Sequence, residues 1–409
     1  MPSTDSSIEV ARARPISARI EAVDVLRGLA LFGVLAINLD TEFRVTFFEQ
    51  FLPSPVSAAP IDRAVGAFLK MAIEFKAFSL FSLLFGMGLA MQFEHLADRS
   101  DRLTLLIRRL LALLAFGLIH LVLIWNGDIL TEYALAGFVI LPLLFAPAGI
   151  VAVAAGSALV FFLALPWLPM SFGFPDSAWL VAHVAVAREV YAHGTFSEIL
   201  AFRVSEIPHI ASLHGYVFAR TVALMLFGGL VWRSGLIANA SKHGRLIGGV
   251  AIALLGFSAL LSLLVSKVMA PVGLALGGAP AIVATNLLPV VLAVGYAALV
   301  IAIVNSTRYR PLLAWAAPVG RMAFTNYITE TVLLGLIFFG YGFGLMGKLG
   351  IAAAFTVGLG IYVAQVFLSR AWLRLYRFGP LEWLWRTMMY GKRQPWRRHR
   401  PVPVGGLAE

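Results

Sequence analysis

The sequence predicts an all-α, polytopic membrane protein with about ten transmembrane helices and an outer amphipathic segment. Of its 409 residues, 60% are hydrophobic and 13% are charged, and that charged share is about half the share found in soluble domains. Apolar runs recur along the chain at about the 20 residues that a helix needs to cross a bilayer. These runs are continuous and do not alternate, which excludes the pattern of a transmembrane β-barrel. An ordinary soluble enzyme is excluded as well.

Composition divides the chain into three parts. Residues 1–20 are polar and rich in Ser and Arg, which predicts a disordered cytoplasmic leader. Residues 21–372 hold the apolar runs and form the transmembrane bundle. Residues 373–409 form a basic, aromatic cytoplasmic tail, which favours contact with anionic lipid headgroups over RNA. The net charge of +11 is typical of basic cytoplasmic loops, so membrane lipids are the expected partner and nucleic acid is not.

Hydropathy places the spans in order along the chain. The first contains Asp24 and Arg27 near its start and lacks a clean cleavage site, so it is an uncleaved span and no signal peptide. An interfacial helix is expected over residues 64–74, before the second span. The predicted spans cover residues 23–39, 75–93, 105–125, 129–145, 148–168, 216–231, 246–265, 281–304, 322–341 and 351–372.

Lys and Arg residues concentrate in alternate loops. With the N-terminus set inside, both termini are cytoplasmic and the long segment 169–213 lies outside. That segment carries His183, His193 and His209, with His214 just after it. No two of them have tight ligand spacing, and the mixed sequence suits an amphipathic helix on the membrane surface, so no metal site is expected. The absence of Cys also excludes disulfides and thiolate chemistry.

The stretch 108–137 carries the best candidates for chemistry. His120 lies inside an apolar run, and Asp128 follows in a polar cluster before the next run. An ionisable side chain within a membrane usually faces a protein interior or a water-filled cavity. An imidazole there suits a general base, and Asp128 can orient it if the chain turns back. The alternative is that His120 is a packing residue and Asp128 a helix cap.

Five blocks resemble the YeiB-like family of bacterial membrane proteins, a family of unknown function. They cover nearly the whole chain, and the resemblance implies a multi-pass protein of the bacterial inner membrane. The blocks are EAVDVLRGLALFGVLAIN at 21–38, FKAFSLFSLLFGMGLAMQ at 75–92, GLIHLVLIWNGDILTEYALAG at 117–137, GRMAFTNYITE at 320–330 and GPLEWLWRTMMYGK at 379–392.

The first block is also similar to the first helix of lysosomal heparan-α-glucosaminide N-acetyltransferase. This resemblance implies a transmembrane acyltransferase superfamily, whose members move an acyl group from cytoplasmic acyl-CoA or acetyl-CoA to an acceptor. It extends to Asp24, Arg27 and Asn38. In that relative the asparagine lies at the active site beside a histidine of the following loop, but residues 39–62 contain no histidine. The base is therefore His120 or a carboxylate of that loop.

The loop carboxylates are Asp40, Glu42 and Glu49. The candidate catalytic residues are His120, Asp128 and Asn38.

A second polar set is expected to bind the phosphates of CoA at the cytoplasmic face, because arginine forks suit phosphate. Asp24 and Arg27 share one helix face, and Arg27 and Arg321 each lie beside a glycine, where a backbone can approach a ligand. Ordinary positive-inside flanking also explains Arg108 and Arg109. The candidate donor-binding residues are Asp24, Arg27, Arg108, Arg109 and Arg321.

The sequence thus favours an acyl-CoA-dependent membrane acyltransferase. The alternative is a transporter or lipid-binding protein without catalysis, which is disfavoured because no inverted repeat with paired broken helices is evident. The acceptor is left open among glycans, lipids and small molecules. The oligomeric state is also left open, with a homodimer as one alternative.

Overall fold

A computed structural model describes residues 20–52, 59–168, 174–265 and 279–398. The predicted leader, apart from Ile20, and the last residues of the tail lie outside this range. Helices dominate the described chain. The α-helices are α1 Glu21–Asn38, α2 Pro60–Ala72, α3 Lys76–His95, α4 Arg102–Ile119, α5 Leu130–Ile140, α6 Ala148–Ala164, α7 Ser177–His193, α8 Phe196–Arg233, α9 Gly244–Leu264, α10 Ala279–Asn305, α11 Ala317–Arg321, α12 Ala323–Phe338, α13 Ile351–Leu375 and α14 Pro380–Tyr390.

Eight helical segments of the described chain are long and apolar enough to cross a membrane. The predicted all-α, multi-pass membrane fold is therefore confirmed. The two remaining predicted spans correspond to α5 and α12, which are apolar but shorter. The eight segments are Glu21–Phe43, Pro60–His95, Arg102–Ile124, Ala148–Trp167, Phe196–Arg233, Gly244–Leu264, Ile282–Asn305 and Ile351–Leu375.

Helix α5 is short because the chain before it is not helical. After α4 and the π-helical turn His120–Ile124, the backbone is irregular up to Ile129. Trp125, Asn126 and Asp128 in this stretch are each at most 3% exposed. Irregular backbone at membrane depth is tolerated only where protein surrounds it. The interior of the bundle therefore encloses a non-helical stretch of backbone next to His120.

The expected interfacial helix before the second span is α2, and it is separated from α3 by a sharp break. Phe75 adopts a left-handed conformation with φ of 59°, which is rare for a bulky residue. Only Leu69 among the residues of α2 is buried, whereas most of α3 is buried. The break thus separates a mostly exposed helix from a helix of the bundle core.

The structure of the outer segment 169–213 differs from the predicted single amphipathic helix on the membrane surface. Its described part contains α7 and then the first half of α8, which continues without interruption into the predicted sixth span. Thr195 and Glu198 form a reciprocal capping box, and this fixes the start of α8 well before residue 216. The TFSE pattern at residues 195–198 is the sequence signal for this earlier start.

Glycines allow α3 and α8 to cross closely. A Cβ added at Gly86 would overlap the backbone of Met225, and one added at Gly228 would overlap the backbone of Leu83. Small residues at helix crossings are the usual way for membrane helices to pack. Gly28 brings α1 against the residues that precede α11, and Gly320 of α11 packs on the backbone of α1 in the same way.

The contact between α1 and α11 corrects one expectation about the arginines. The glycines beside Arg27 and Arg321 were expected to admit a ligand, but Gly28 and Gly320 admit neighbouring backbone. The reason is geometric, because the facing backbone lies so close to each glycine that no side chain would fit between them. A ligand therefore has no space at these two glycines.

The tail is attached to the bundle over its described length. Trp385 of α14 donates its ring N–H to the backbone oxygen of Arg109 at 2.9 Å. Glu382 accepts hydrogen bonds from the first amides of α12, including Phe324 N at 2.8 Å, and so caps that helix. Burial raises the pKa of the Glu382 carboxyl. Helix α14 thus lies across the end of the bundle where α1, α4 and α12 begin, called here the starting face. The opposite end, where α7 lies, is called the far face.

Candidate functional site

His120 lies at the centre of a buried carboxylate–imidazole–hydroxyl arrangement. Its Nδ1 is 2.9 Å from Oδ1 of Asp128, and its Nε2 is 2.9 Å from Oγ1 of Thr331. All three residues are at most 1% exposed. The structure therefore brings together two residues named from the sequence, His120 and Asp128, and adds Thr331 from α12.

The hydrogen bonds around Asp128 orient the imidazole. Asp128 also accepts the backbone N–H groups of Leu130 at 3.1 Å and Thr131 at 2.7 Å. An ionised carboxylate only accepts hydrogen bonds, so Nδ1 of His120 donates to an ionised Asp128 in this arrangement. The Thr331 hydroxyl carries a single hydrogen and lies 2.9 Å from Nε2 and 3.0 Å from the backbone oxygen of Ile328, so it donates to only one of these two atoms. Asp128 is thus both the cap of α5 and the group that orients His120.

Aromatic side chains enclose the imidazole. The ring centroid of Tyr327 is 5.1 Å from that of His120, and the ring centroid of Trp125 is 6.0 Å away. These rings shield the site from water. A neutral imidazole with a basic Nε2 and a fixed Nδ1 is the chemical form that takes a proton from an alcohol or an amine.

Two π-helical turns mark the same level of the bundle. One, Leu39–Phe43, follows Asn38 at the end of α1, and the other, His120–Ile124, begins at His120. Such turns are rare and often lie at functional sites. Asn38 is 2% exposed, and its Oδ1 has no hydrogen-bond partner among the described residues. The structure places Asn38 on the neighbouring helix end but shows no hydrogen bond from this oxygen to His120.

The three competing carboxylates have different environments. Asp40 pairs with Arg44 at 3.1 Å, and Glu49 pairs with Arg188 at 2.7 Å. Glu42 lies beside Gly127, and its buried Oε2 has no hydrogen-bond partner within the described ranges. Glu42 is therefore the loop carboxylate best placed to compete with His120 as a base.

Two of the predicted donor-binding arginines meet at the starting face. Asp24 and Arg27 pair at 3.4 Å. Nη2 of Arg27 and Nη2 of Arg109 lie 3.2 and 3.9 Å from the position that a Cβ at Gly88 would take. The Arg109 guanidinium also donates to the side chain of Gln92. Glycine at position 88 thus leaves room for two guanidinium groups on facing helices.

The remaining predicted donor residues lie around this pair. Nη1 of Arg108 is 3.2 Å from the Cβ position of Gly391 at the end of α14, so it does not join Arg27 and Arg109. Arg321 ends α11, next to the glycine that packs on Asp24. Arg386 of α14 was not predicted, yet it repels the charge of Arg109. The basic composition of the tail was its only sequence signal.

Thr331 was not predicted from the sequence either. It lies 211 residues after His120, so no local spacing could join the two. Its hydroxyl also lies 3.0 Å from the backbone oxygen of Ile328, a contact typical of threonine within a helix. Only the packing of α12 against the end of α4 reveals its contact with the imidazole.

A further polar network occupies the far face. Glu206 accepts hydrogen bonds from the Tyr191 hydroxyl at 2.5 Å and from the Asn126 amide at 2.8 Å, and its other oxygen is 2.7 Å from Nε2 of His183. Burial, and then the charge of Glu206, raise the pKa of the Tyr191 phenol well above its usual value. Tyr191 is therefore a hydrogen-bond donor to Glu206.

Two histidines of the outer segment pack against one indole, and His214 contacts a glutamate elsewhere. His183 stacks on Trp179 with ring centroids 4.2 Å apart, and the His209 ring centroid is 4.4 Å from the same indole. Nδ1 of His214 lies 2.5 Å from Oε2 of Glu132. Within the part of the chain that the structure describes, no three His, Asp or Glu residues group as metal ligands would.

Comparison with known proteins gives relatives along most of the chain. An uncharacterized protein of Bacillus subtilis, YxaH, is 34% identical over 406 residues, which cover 92% of this chain and 96% of the relative. An uncharacterized protein of Escherichia coli, YeiB, is 29% identical over 377 residues, with 90% and 95% covered. Residues 231–392 match a family described as a protein of unknown function, DUF418. No solved structure matches the chain.

Proposed function

We propose that this chain is a membrane-embedded acyltransferase. The chain belongs to the DUF418 family and is homologous to YeiB and YxaH. In this proposal the acyl group passes from acyl-CoA, bound at the starting face, to an acceptor whose proton is taken by His120. The observation that carries the proposal is the buried Asp128–His120–Thr331 arrangement, with both hydrogen bonds of the imidazole at 2.9 Å.

The spacing between the two polar levels supports the proposal. Arg27 and Asn38 lie on α1 and its end, and Arg109 and His120 lie on α4 and its end. Each pair is separated by 11 positions, which is close to three helical turns and about 16 Å along the axis. Both pairs therefore share a helix face. The donor phosphates can bind at the arginines while the extended pantetheine arm reaches towards His120.

The proposed reaction uses the neutral imidazole as its base. The acceptor oxygen or nitrogen attacks the thioester carbonyl carbon, and Nε2 of His120 takes the acceptor proton. The carbon–sulfur bond then breaks, and the imidazolium returns the proton to the CoA sulfur. Asp128 stabilises the imidazolium through Nδ1, as a carboxylate does in hydrolase triads. The acceptor replaces the Thr331 hydroxyl as the hydrogen-bond partner of Nε2.

The proposed orientation has the starting face in the cytoplasm. Lys and Arg are concentrated in the segments at that face, including Arg99, Arg102, Arg108 and Arg109, and short basic loops remain cytoplasmic. Acyl-CoA is a cytoplasmic donor, so this orientation presents the Arg27 and Arg109 pair to the compartment that holds it. With bacterial relatives, the membrane concerned is the bacterial inner membrane.

The test is release of CoA by the purified protein in lipid nanodiscs. The chain has no Cys, so a thiol reagent reports only the CoA that acetyl-CoA or a longer acyl-CoA loses. Slow release to water is expected without an acceptor. His120→Ala should lower the rate by roughly 10²–10⁴-fold, the usual contribution of a general base, while CoA binding stays nearly unchanged.

Matched variants separate the bases. Glu42→Gln removes the carboxylate that has no ion pair among the described residues, and Asp40→Asn removes one that is already paired. If Glu42→Gln abolishes release while His120→Ala keeps it, the loop carboxylate is the base. A transporter or lipid-binding protein would release no CoA in any variant, including the wild type.

A further inference from the structure

A buried arginine of the far face forms no ion pair with the described residues. Arg203 of α8 is 0% exposed, and its Nε, Nη1 and Nη2 form no well-aligned hydrogen bond with the described residues. The Tyr341 hydroxyl lies close enough to the guanidinium for a loose hydrogen bond, and Tyr191 lies close enough to interact with its charge. The Phe339 ring centroid is 6.0 Å from Cζ of Arg203. Neutral phenols and a phenyl ring do not balance a guanidinium. Arginine does not lose its proton in proteins, so the positive charge stays in place.

The carboxylate nearest in sequence does not form an ion pair with Arg203. Glu206 lies one turn further along α8, but its oxygens are engaged by Tyr191, Asn126 and His183. No ion pair joins Arg203 to a carboxylate of the described chain. A buried charge without a directly bonded partner is unfavourable, so an anionic group from outside the chain would stabilise the Arg203 guanidinium.

Glu42 adds a second group in the same layer. Its Oε2 is buried and has no hydrogen-bond partner within the described chain, and it lies close enough to Glu206 for the two carboxylates to interact. The Arg203 guanidinium and this Glu42 oxygen do not bond to each other. Together they are complementary to a ligand that has an acidic group and a hydrogen-bond donor.

We infer that Arg203 binds the acidic group, a carboxylate or a phosphate, of a polar ligand at the far face. Asn126 belongs to the Glu206 network and follows Trp125, whose ring lies 6.0 Å from that of His120. The two sites therefore share a wall. If the proposed acyltransferase function holds, on which this last step rests, the ligand is the acceptor and its hydroxyl or amine points to His120.

The test measures thermal unfolding of the full chain in nanodiscs of neutral lipid. Inorganic phosphate and glycerol 3-phosphate are the soluble probes, and nanodiscs containing phosphatidylglycerol test a lipid headgroup. A ligand that binds only the folded state raises the unfolding midpoint with concentration. The wild type should show a saturable rise of at least about 2 °C that Arg203→Met lacks. Any rise common to both proteins reports the arginines of the starting face.

The variants also distinguish a binding role from a structural one. Without probe, Arg203→Met should unfold at the wild-type temperature or above, because it removes an unpaired buried charge. Arg203→Lys keeps the charge and should keep part of the rise. Arg188→Gln, an exposed arginine of the same region paired with Glu49, is the control and should respond as the wild type does.

Equal rises in the wild type and Arg203→Met, or a large loss of stability in Arg203→Met without probe, would overturn the inference. A rise with the soluble probes identifies a soluble anion, and a rise only with phosphatidylglycerol identifies a lipid. Failure of the acyltransferase proposal has a different signature, since the wild type would then release no CoA while the Arg203-dependent rise persists.

Discussion

The pair of arginines at the starting face and the histidine inside the bundle handle their polar groups in opposite ways. Around His120, both ring nitrogens are hydrogen-bonded, and Asp128 accepts from the ring and from two backbone amides. At the starting face, Arg27 and Arg386 both repel the charge of Arg109, and Asp24 is an acidic group paired with Arg27. A saturated network fixes geometry, whereas an excess of one charge is suited to a ligand of the opposite charge.

The far face repeats this contrast at closer range. Glu206 is fully engaged by its neighbours, while Arg203 on the same helix has no well-aligned hydrogen bond among the described residues. Both residues are at most 1% exposed, so burial alone does not separate them. The difference fits the proposal that engaged groups position the site and that Arg203 binds a ligand.

Breaking the saturated network should have the largest effect. Asp128→Asn should lower CoA release because an amide no longer fixes the imidazole tautomer. The loss should be smaller than the roughly 10²–10⁴-fold loss expected for His120→Ala. Asparagine can still cap α5, whereas Asp128→Ala also loses the cap and about 1 kcal/mol of stability. CoA release and thermal unfolding measure the two effects. Wild-type release by Asp128→Asn would leave Asp128 with the cap alone.

Reducing the charge at the starting face should weaken donor binding without affecting the fold. Arg27→Gln and Arg109→Gln should each raise the Kd for CoA by roughly tenfold to a hundredfold, since hydrogen bonds to charged groups contribute about 1.5–3 kcal/mol. Isothermal titration with CoA provides the measurement, and Arg321→Gln tests the third predicted arginine.

Arg308, an exposed residue that follows α10, offers a matched control, and Arg308→Gln should bind CoA as the wild type does. If Arg27→Gln, Arg109→Gln and Arg321→Gln all bind CoA normally, the donor site lies elsewhere.

Substitutions at two glycines compare the close crossing of α3 and α8 with an open helix surface. Gly86→Ala should destabilise the protein by about 1–3 kcal/mol, because its Cβ would meet the backbone of α8. Gly156 of α6 has open space around its Cβ position, so Gly156→Ala should be neutral or slightly stabilising. Thermal unfolding in one lipid composition checks the difference. Equal midpoints would mean that α3 and α8 separate easily.

The orientation can be checked with substitutions that should alter neither fold nor turnover. Ser177 begins α7 and Ser241 lies between α8 and α9, and both are exposed. Ser177→Cys and Ser241→Cys add one thiol each to a chain without cysteine. An impermeant reagent added to whole cells should label position 177 and not position 241. The reverse result would invert the proposed topology.

Local sequence predicted the fold because its signals act over short distances. Apolar runs near the thickness of a bilayer specified the long helices, and His120 stood out because an ionisable residue within such a run is rare. The proximity of Asp128 followed from the same stretch, since the two residues are eight positions apart. The family was also identified from sequence blocks, and the relatives confirm it.

Tertiary structure alone decided which distant groups meet. Thr331 reaches His120, Arg109 approaches Arg27 across Gly88, and Arg203 is left beside a Glu206 that other residues engage. No period or spacing in the sequence predicts these contacts, because each depends on how separate helices pack. Hydropathy reports the free energy of burying a segment in lipid. Each residue makes its own contribution to that free energy, whichever helix it faces. Hydrogen-bond partners depend on the facing helix, and only the folded bundle specifies that helix.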